Sequence, residues 1–393
     1  MATPSPLQEL PDFSLTLGGP LYRLLRRFHL GSSVTGLLSR QAAIVVLLCW
    51  VPLAILSTIS GHFLGGTQLP FLPDIETHVR FLVSLPVLVL AEMLVNQRIR
   101  PNLTRFVERN IVTPNDLQKF HKAISAAVRL HNSAIIDIVL AAFVYTVGRS
   151  IWRSQIPPNL ASWYASPQAG HIHLTMAGNW LAFVSVPVFQ FILLRWYMQF
   201  LIWFWFLFRV SRLPLHLPSL HPDRQGGIGF VGTSSLAFAP LLFAHSALLS
   251  AQIASRIFYN GASLFASDIN ILSYVVLSVL VTLAPLLLFT PQLIRAKRRG
   301  LTRYGNFASR FVTNFDQKWL NEINDEPSLA DNDIQSLADL SNSFAVVRAM
   351  RFVPIATDDL FLLVFVTVAP FLPLLLTIMP LDQLVIRALK IVF

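Results

Sequence analysis

The sequence predicts an all-α protein, a polytopic bundle of about seven transmembrane helices with amphipathic helices on its cytoplasmic side. Of the 393 residues, 54% are hydrophobic and 13% are charged, whereas about a quarter of the residues of a soluble domain are charged. The hydrophobic residues also collect into seven runs, each close to the roughly 20 residues that a helix needs to cross the hydrocarbon of a bilayer. Water is therefore not the main solvent of this chain.

The seven runs divide the chain into membrane spans and connections. The runs cover residues 42–59, 78–96, 134–152, 180–208, 235–255, 271–290 and 360–379, and six of them contain proline. The spans lie in pairs within 42–96, 134–208 and 235–290, and span seven lies at 360–379. The cytoplasmic segments are the amino-terminal segment 1–41, a helical loop at 97–133, a Gly-rich loop at 209–234 and a second helical loop at 291–359. The chain closes with an outer interfacial tail at 380–393.

The distribution of positive charge predicts the orientation of the bundle. Of the 30 lysines and arginines, 23 lie in the amino-terminal segment and in alternate loops, and only five lie in the other connections. Because cytoplasmic loops are enriched in basic residues, the amino terminus is expected inside and the carboxyl terminus outside. The net charge of +10 fits anionic lipid headgroups better than nucleic acid, since the basic residues flank the spans and form no nucleic-acid-binding motif.

Two of the cytoplasmic loops carry helical patterns. Thr113, Pro114 and Asp116 predict a helix start with a capping box. The amphipathic helix that follows would run directly into the third span. Its apolar face comprises Leu117, Phe120, Ile124 and Val128, and a second apolar face in the last loop comprises Ile334, Leu337, Leu340, Phe344 and Val347. Together these helices are expected to form a small cytoplasmic layer under the bundle.

The sharpest local motif lies between the fourth and fifth spans. It reads His221, Pro222, Asp223, Arg224, Gln225, Gly226, Gly227, Ile228, Gly229 and Phe230. One interpretation is an anion or ligand site, in which the amides of Gly226, Gly227 and Gly229 and the side chains of His221, Asp223 and Arg224 hold a phosphate, a headgroup or a carboxylate. The other is a tight entry into the fifth span, with Asp223 capping neighbouring amides. Three glycines so close together predict a positive φ at one of them.

At this motif the chain resembles a group of bacterial polytopic inner-membrane proteins. The elements that carry the resemblance are the loop from His221 to Phe230, the pair Lys318 and Trp319, and the stretch from Ile334 to Asp339. The resemblance covers most of the chain from the fourth span onward. It implies a location in the bacterial inner membrane and transfers no activity or site roles.

Three of the ionisable residues within the predicted spans form a candidate charge cluster. Arg195 lies in the fourth run, Glu92 in the second and Asp137 in the third, and all three fit the inner leaflet. Since a lone charge in hydrocarbon is costly, Arg195 is expected to pair with Glu92 or Asp137. Such a cluster serves either as an ion or proton path or as a clamp that holds three helices together.

Other residue types limit the chemistry. Cys49 is the only cysteine, so no disulfide or cysteine-based metal site is expected within one chain. No spacing indicates a metal site or a cofactor, so we predict neither. His131 and His245 are expected to be interior or interfacial histidines. Eight of the 13 residues from Trp196 to Phe208 are aromatic and are expected to face lipid and form an interfacial belt.

Three functions fit these observations. The first is a channel or transporter for a small ion or solute, with Arg195 in its polar interior. The second is a membrane-anchored sensory or interaction module. The third is a lipid-headgroup enzyme using the His221 loop, ranked last because no nucleophile and base occur at a recognisable spacing. Membrane lipids are the expected partners, nucleic acid is not, and homo-oligomers and protein partners stay open.

Overall fold

The computed structural model describes residues 34–156, 161–168, 171–318 and 331–377. Trp319, the predicted outer tail at 380–393 and the predicted segment 1–41 up to residue 33 lie outside these ranges. The fold class is confirmed, because seven of the described helices are long and apolar enough to cross a membrane. The chain is therefore an integral, multi-pass membrane protein by the length and composition of its helices.

Nine helices and one hairpin can be named in chain order within the described residues. They are α1 (Val34–Ile59), α2 (Ile75–Glu108), α3 (Leu117–His131), α4 (Ala134–Ser154), β1 (Ala165–Gln168), β2 (His171–Leu174), α5 (Met176–Ser211), α6 (Gly229–Tyr259), α7 (Asp268–Asp316), α8 (Asp331–Arg348) and α9 (Thr357–Thr377). All except α3 and α8 are of spanning type. Six of the seven include a whole predicted apolar run, and α9 includes the seventh run up to Thr377, where the described residues end.

Proline distorts several spans. A wide π turn at Val79–Ser84 precedes Pro86 in α2, and a second one at Leu181–Ser185 precedes Pro187 in α5. In α6 the turn that precedes Pro240, at Ser234–Phe238, is instead a tight 3₁₀ turn. Proline has no N–H and its ring crowds the carbonyl four residues earlier, so the preceding turn widens or tightens.

The expected helix start near Thr113 is present in altered form. Pro114–Asp116 makes a 3₁₀ turn, and the Thr113 hydroxyl donates to the Asp116 carboxylate over 3.1 Å instead of capping an amide. A hydrogen bond from Lys119 lowers the pKa of Asp116. The expectation that α3 runs into the third span is wrong, because the helix stops at His131 and a new one starts at Ala134.

One end of the bundle is closed by the hairpin. Its strands pair antiparallel, with Ala165 opposite Leu174. The Asp74 carboxylate caps the start of α2 by accepting from the Thr77 amide over 3.2 Å, and it also accepts from Trp163 Nε1 over 2.9 Å. The hairpin was not predicted from the sequence.

At the other end, which we call the loop end, residues 212–228 and 347–355 meet the middle of α7, and residues 109–116 contact the 212–228 segment. The His216 amide donates to the Ile111 carbonyl over 2.8 Å. Lys297 Nζ donates to the Met350 carbonyl over 2.8 Å, and α7 packs against α8. The amphipathic helix α3 packs against α5 and the amphipathic helix α8 against α7, so a layer in which the two pack together stays a prediction.

Aromatic rings fill the interior between the two ends. Trp196 packs edge-on against Phe238 on α6, with ring centroids 6.4 Å apart, and Phe206 packs against Phe120 on α3 at 6.1 Å. Trp196, Trp203 and Phe206 are all buried. The expectation that this aromatic stretch faces lipid is therefore wrong for these three, because α5 lies inside the bundle and packs against several helices.

Candidate functional site

The loop from His221 to Phe230 is organised around one carboxylate. Asp223 Oδ1 accepts the amide of Gln225 over 2.8 Å and that of Gly227 over 3.1 Å, and Oδ2 accepts the amide of Gly229 over 3.0 Å. His221 Nδ1 lies 2.8 Å from Asp223 Oδ1. Two of the three glycine amides that could bind an external anion, those of Gly227 and Gly229, are thus already hydrogen-bonded within the loop.

Backbone geometry explains the glycines. The predicted positive φ is confirmed at Gly226 (+64°) and at Gly227 (+86°), and Arg224 also has a positive φ of 55°. A Cβ at Gly226 would lie 3.1 Å from Leu217 and 3.2 Å from Met350. The loop is therefore a compact turn that packs against its surroundings, which favours the interpretation as a tight entry into α6.

None of the side chains of His221, Asp223 and Arg224 lines the two cavities described in this structure. His221 and Asp223 face each other, whereas Arg224 is exposed and contributes its carbonyl, which accepts the Arg351 amide over 2.7 Å. Arg109 Nη1 donates to the Gly227 carbonyl over 3.2 Å and so ties the end of α2 to the loop. A ligand-binding role for the loop stays a prediction.

The intramembrane charges form a pair with two further neighbours. Arg195 Nη1 on α5 donates to Asp137 Oδ1 on α4 over 3.3 Å. The predicted pairing with Asp137 is confirmed, and the two side chains are only 12% and 14% exposed. Arg195 also interacts electrostatically with Glu92 on α2 and with His131 at the end of α3. Four helices therefore contribute to one polar cluster.

Three buried atoms of this region have no hydrogen-bond partner among the described residues. They are Arg195 Nε, His131 Nε2 and Gln199 Oε1, the last one turn beyond Arg195 on α5. Burial lowers the pKa of His131 to about 3, and the positive charge of Arg195 acts in the same direction, so His131 is neutral near pH 7. Buried polar atoms without partners are rare in native structures and mark places where water or an ion can bind.

A basic groove at the loop end was not predicted. It has a volume of about 970 Å³ and lies between the segment 208–220 and the α7 stretch 287–304. Four arginines line it, namely Arg212, Arg295, Arg299 and Arg303. Its lining contains no aspartate or glutamate. Within the part of the chain that the structure describes, none of the four guanidinium groups has a carboxylate in ion-pair distance.

Helical spacing places three of these arginines in a row. Arg295, Arg299 and Arg303 follow one another at intervals of four residues on α7, so they share a face and are about 6 Å apart along the axis. Arg212 faces them from just beyond the end of α5, where its guanidinium lies 4.8 Å from the centre of the Phe208 ring. The groove thus presents positive charge from two walls.

The walls of the groove are fixed by close contacts. Gln292 Nε2 donates to the carbonyls of Ser211 (2.5 Å) and Leu213 (2.9 Å), which ties the segment after α5 to α7. A Cβ at Gly300 would lie 2.5 Å from Ser219 Oγ and 2.9 Å from Val347 on α8. The glycine therefore allows α7 to pack at once against the groove wall and against α8.

The signal for this groove is present in the sequence but weak. The interval of four residues between the three α7 arginines is visible, yet the same residues also serve as evidence for the orientation of the bundle. The partner wall, with Arg212, lies more than 80 residues earlier in the chain. Only the fold brings the two segments together.

Neither metal-ligating residues in the described part of the chain nor similarity to known proteins indicates a further candidate site. Among the described residues, no group of three or more histidines, cysteines, aspartates or glutamates could hold a metal ion. The chain matches no family model, no curated protein and no solved structure in the comparisons with known proteins.

Proposed function

We propose that this integral membrane protein is a membrane-anchored sensory or interaction module whose basic groove binds an anionic ligand. The observation that carries the proposal is the set of four arginines that face one cavity of about 970 Å³ lined by no carboxylate. This volume is typical of sites for small molecules. The proposal also uses the groove's position at the loop end, where the predicted cytoplasmic layer lies.

Electrostatics explains why such a groove attracts anions. Four guanidinium groups held near one another repel when no carboxylate lies between them, as among the described residues here. A concave wall of one sign focuses the field and raises the local concentration of the opposite ion. Guanidinium groups also bind phosphate and carboxylate oxygens through paired hydrogen bonds. The groove is therefore suited to a ligand with several acidic oxygens.

The connection between the groove and α8 supports a sensory role. The α7 stretch that carries the arginines also holds Lys297, which donates to the Met350 carbonyl just after α8. Gly300 lies against Val347 of α8 on one side and against Ser219 of the groove wall on the other. A ligand that draws the two walls together would shift α7 relative to α8, and such packed helices can relay a small displacement.

A hydrogen-exchange experiment with tripolyphosphate as the probe tests this proposal. At constant ionic strength, the purified protein is expected to melt at a higher temperature with the probe and to show slower amide exchange within 331–348. Arg299→Ala/Arg303→Ala should abolish both effects. Arg298→Ala/Arg310→Ala removes the same charge from α7 outside the groove and should retain them. Equal responses of the two variants, or no response of the wild type, would contradict the proposal.

The orientation forms part of the proposal. We place the loop end in the cytoplasm, with the amino terminus inside and the carboxyl terminus outside, in the inner membrane of a bacterium. The support is the 23 to five distribution of basic residues together with the resemblance carried by the His221 loop. The groove would then face the cytoplasmic leaflet.

Transport of a small ion or proton is the second candidate function. It is favoured by the polar cluster around Arg195, in which one positive charge faces two carboxylates and three buried atoms have no partner among the described residues. The lipid-headgroup enzyme is less favoured. It would need His221, Asp223 and Arg224 around a cavity, and none of the three lines the groove.

A further inference from the structure

We infer that the ligand of the basic groove is a membrane lipid whose headgroup carries two phosphate groups, with its acyl or prenyl chain lying against Phe208 and Leu287. This inference rests on the proposed function, since it names the anion that the groove would bind. Its chemistry is shared with soluble diphosphates, so the experiment must separate the two sources.

The lining of the groove changes from apolar on its membrane side to basic further out. Its membrane side is formed by Phe208 near the end of α5 and by Leu287 and Leu288 of α7, all within spanning helices. Phe208 is 36% exposed and Leu287 is 52% exposed. In a membrane such surface faces hydrocarbon. A soluble anion gains nothing from this wall, whereas a lipid chain can pack against it.

The arginines of the groove begin where the apolar parts of the two helices end. Arg212 directly follows the last residue of α5, and Arg295 follows the last apolar residue before the basic part of α7. Both therefore lie where the hydrocarbon ends, at the level of lipid phosphates. The guanidinium of Arg212 over the Phe208 ring marks this boundary.

The row of arginines on α7 extends beyond the level of the lipid phosphates. Arg299 and Arg303 lie about 6 Å and about 12 Å beyond Arg295 along the helix. The headgroup layer of one leaflet is only about 5–8 Å thick. A lipid with a single phosphodiester at the membrane surface would leave Arg303 without an anionic partner. A second phosphate bonded to the first extends the anion outward by one phosphate unit, and the long side chains of Arg299 and Arg303 can span the remaining distance.

The positive charge of the groove also favours two phosphate groups over one. The groove holds four positive charges and its lining offers no carboxylate. A phosphodiester neutralises only one of them, while each terminal phosphate carries a charge of about −1.5 to −2 near pH 7. A diphosphate, which carries one further charge on its inner phosphate, therefore neutralises about three of the four charges.

A comparison of four probes tests the inference on the full-length protein in detergent, with native mass spectrometry as the readout. The probes are farnesyl diphosphate, farnesyl monophosphate, inorganic pyrophosphate and dioleoylphosphatidylglycerol. Farnesyl diphosphate is expected to bind at least tenfold more tightly than each of the other three. A loss of one charge-assisted hydrogen bond costs about tenfold in affinity or more.

Variants then assign the binding to the groove. Arg299→Ala/Arg303→Ala should reduce the affinity for farnesyl diphosphate to that for the monophosphate, while Arg298→Ala/Arg310→Ala should leave it unchanged. Leu287→Gln should weaken the binding of farnesyl diphosphate but not that of pyrophosphate. Leu280→Gln is its matched control, because this leucine is exposed on the same helix and does not line the groove.

Each alternative outcome has a distinct meaning. Equal affinity for pyrophosphate and farnesyl diphosphate would overturn the lipid inference and leave the anion-binding function standing. Equal affinity for phosphatidylglycerol or for the monophosphate would overturn the requirement for a second phosphate. No binding of any of these probes or of tripolyphosphate would overturn both the inference and the proposed function.

Discussion

Arg195 on α5 and Asp137 on α4 form an ion pair across two spans, with 3.3 Å between Nη1 and Oδ1. The pair has a structural consequence, because α4 is the least buried of the seven spans and exposes Ile135, Ile138 and Val139 on its surface. Such a helix has few packing contacts of its own. The ion pair is therefore a specific attachment of α4 to the bundle.

Removing one partner of this pair should destabilise the protein. Arg195→Leu leaves the carboxylates of Asp137 and Glu92 without their cation in a poorly hydrated place, at a cost of about 3 kcal/mol. The expected result is a lower melting temperature in detergent. Arg195→Leu/Asp137→Leu should recover part of the loss, since no charge of the pair then stays buried.

The double variant also separates the clamp from an ion path. In proteoliposomes, a purely structural pair predicts the same ion or proton flux for the folded double variant as for the wild type. A transport role predicts that the flux is lost although the fold survives. An Arg195→Leu protein as stable as the wild type would contradict the clamp.

The hydrogen bonds of Asp223 should dominate the stability of the Gly-rich loop. Asp223→Ala leaves three amides of the loop without their acceptor, which is expected to cost about 1–3 kcal/mol. The measurement is the exchange rate of the amides of Gln225, Gly227 and Gly229, which should rise together. Unchanged protection of all three would show that the carboxylate does not hold the turn.

Arg224→Gly is the informative control within the same loop. Arg224 has a positive φ of 55°, which costs an L residue roughly 1–2 kcal/mol and glycine far less. The substitution should thus be neutral or stabilising, although it removes a charged side chain from the motif. A marked destabilisation would show that the guanidinium itself contributes to the fold.

His131 should make the stability of the protein depend on pH. Burial lowers its pKa to about 3 in the folded protein, against about 6.5 for an unperturbed histidine. The unfolded chain therefore binds a proton that the folded one does not. The contribution of this residue to the free energy of unfolding is therefore fully retained above pH 6.5. It falls as the pH decreases below 6.5, by at most about 1.4 kcal/mol per pH unit.

Thermal melts at pH 7.5, 6.5 and 5.5 check this slope. His131→Leu removes the titrating group and should flatten the decline between pH 6.5 and 5.5. His121→Leu on the same helix is a suitable comparison, because His121 is less buried than His131. Equal slopes for wild type and His131→Leu would refute the assignment.

Hydropathy alone located the spans because the bilayer requires about 20 apolar residues per crossing, whatever the neighbouring helices are. The pairing of Arg195 was predictable for a similar reason, since a charge in hydrocarbon needs a partner. The hairpin was not predictable, because strands as short as Ala165–Gln168 leave no clear alternation. Nor was the burial of Trp196 or Trp203, which depends on where α5 lies within the bundle.

The basic groove was only partly predictable from the sequence for the same reason. Arg295, Arg299 and Arg303 could be assigned to one helical face from their spacing. Their convergence with Arg212 depends on the turn that brings residues 211–220 back across α7, and on Gln292 and Gly300, whose roles are visible only in the folded chain. Contacts between distant segments are not encoded in a local pattern.

Reporter fusions test the orientation on which the cytoplasmic role of the groove depends. With the amino terminus inside, fusions after Asn110 and Glu326 should report a cytoplasmic location and a fusion after Ser166 a periplasmic one. Asn110 lies at the loop end and Ser166 in the hairpin at the opposite end of the bundle, so the two must differ whichever way the protein inserts. The reverse result at any two of these positions would place the four arginines in the outer leaflet. The basic loops would then oppose the rule that predicts them inside, and the groove would meet periplasmic rather than cytoplasmic ligands.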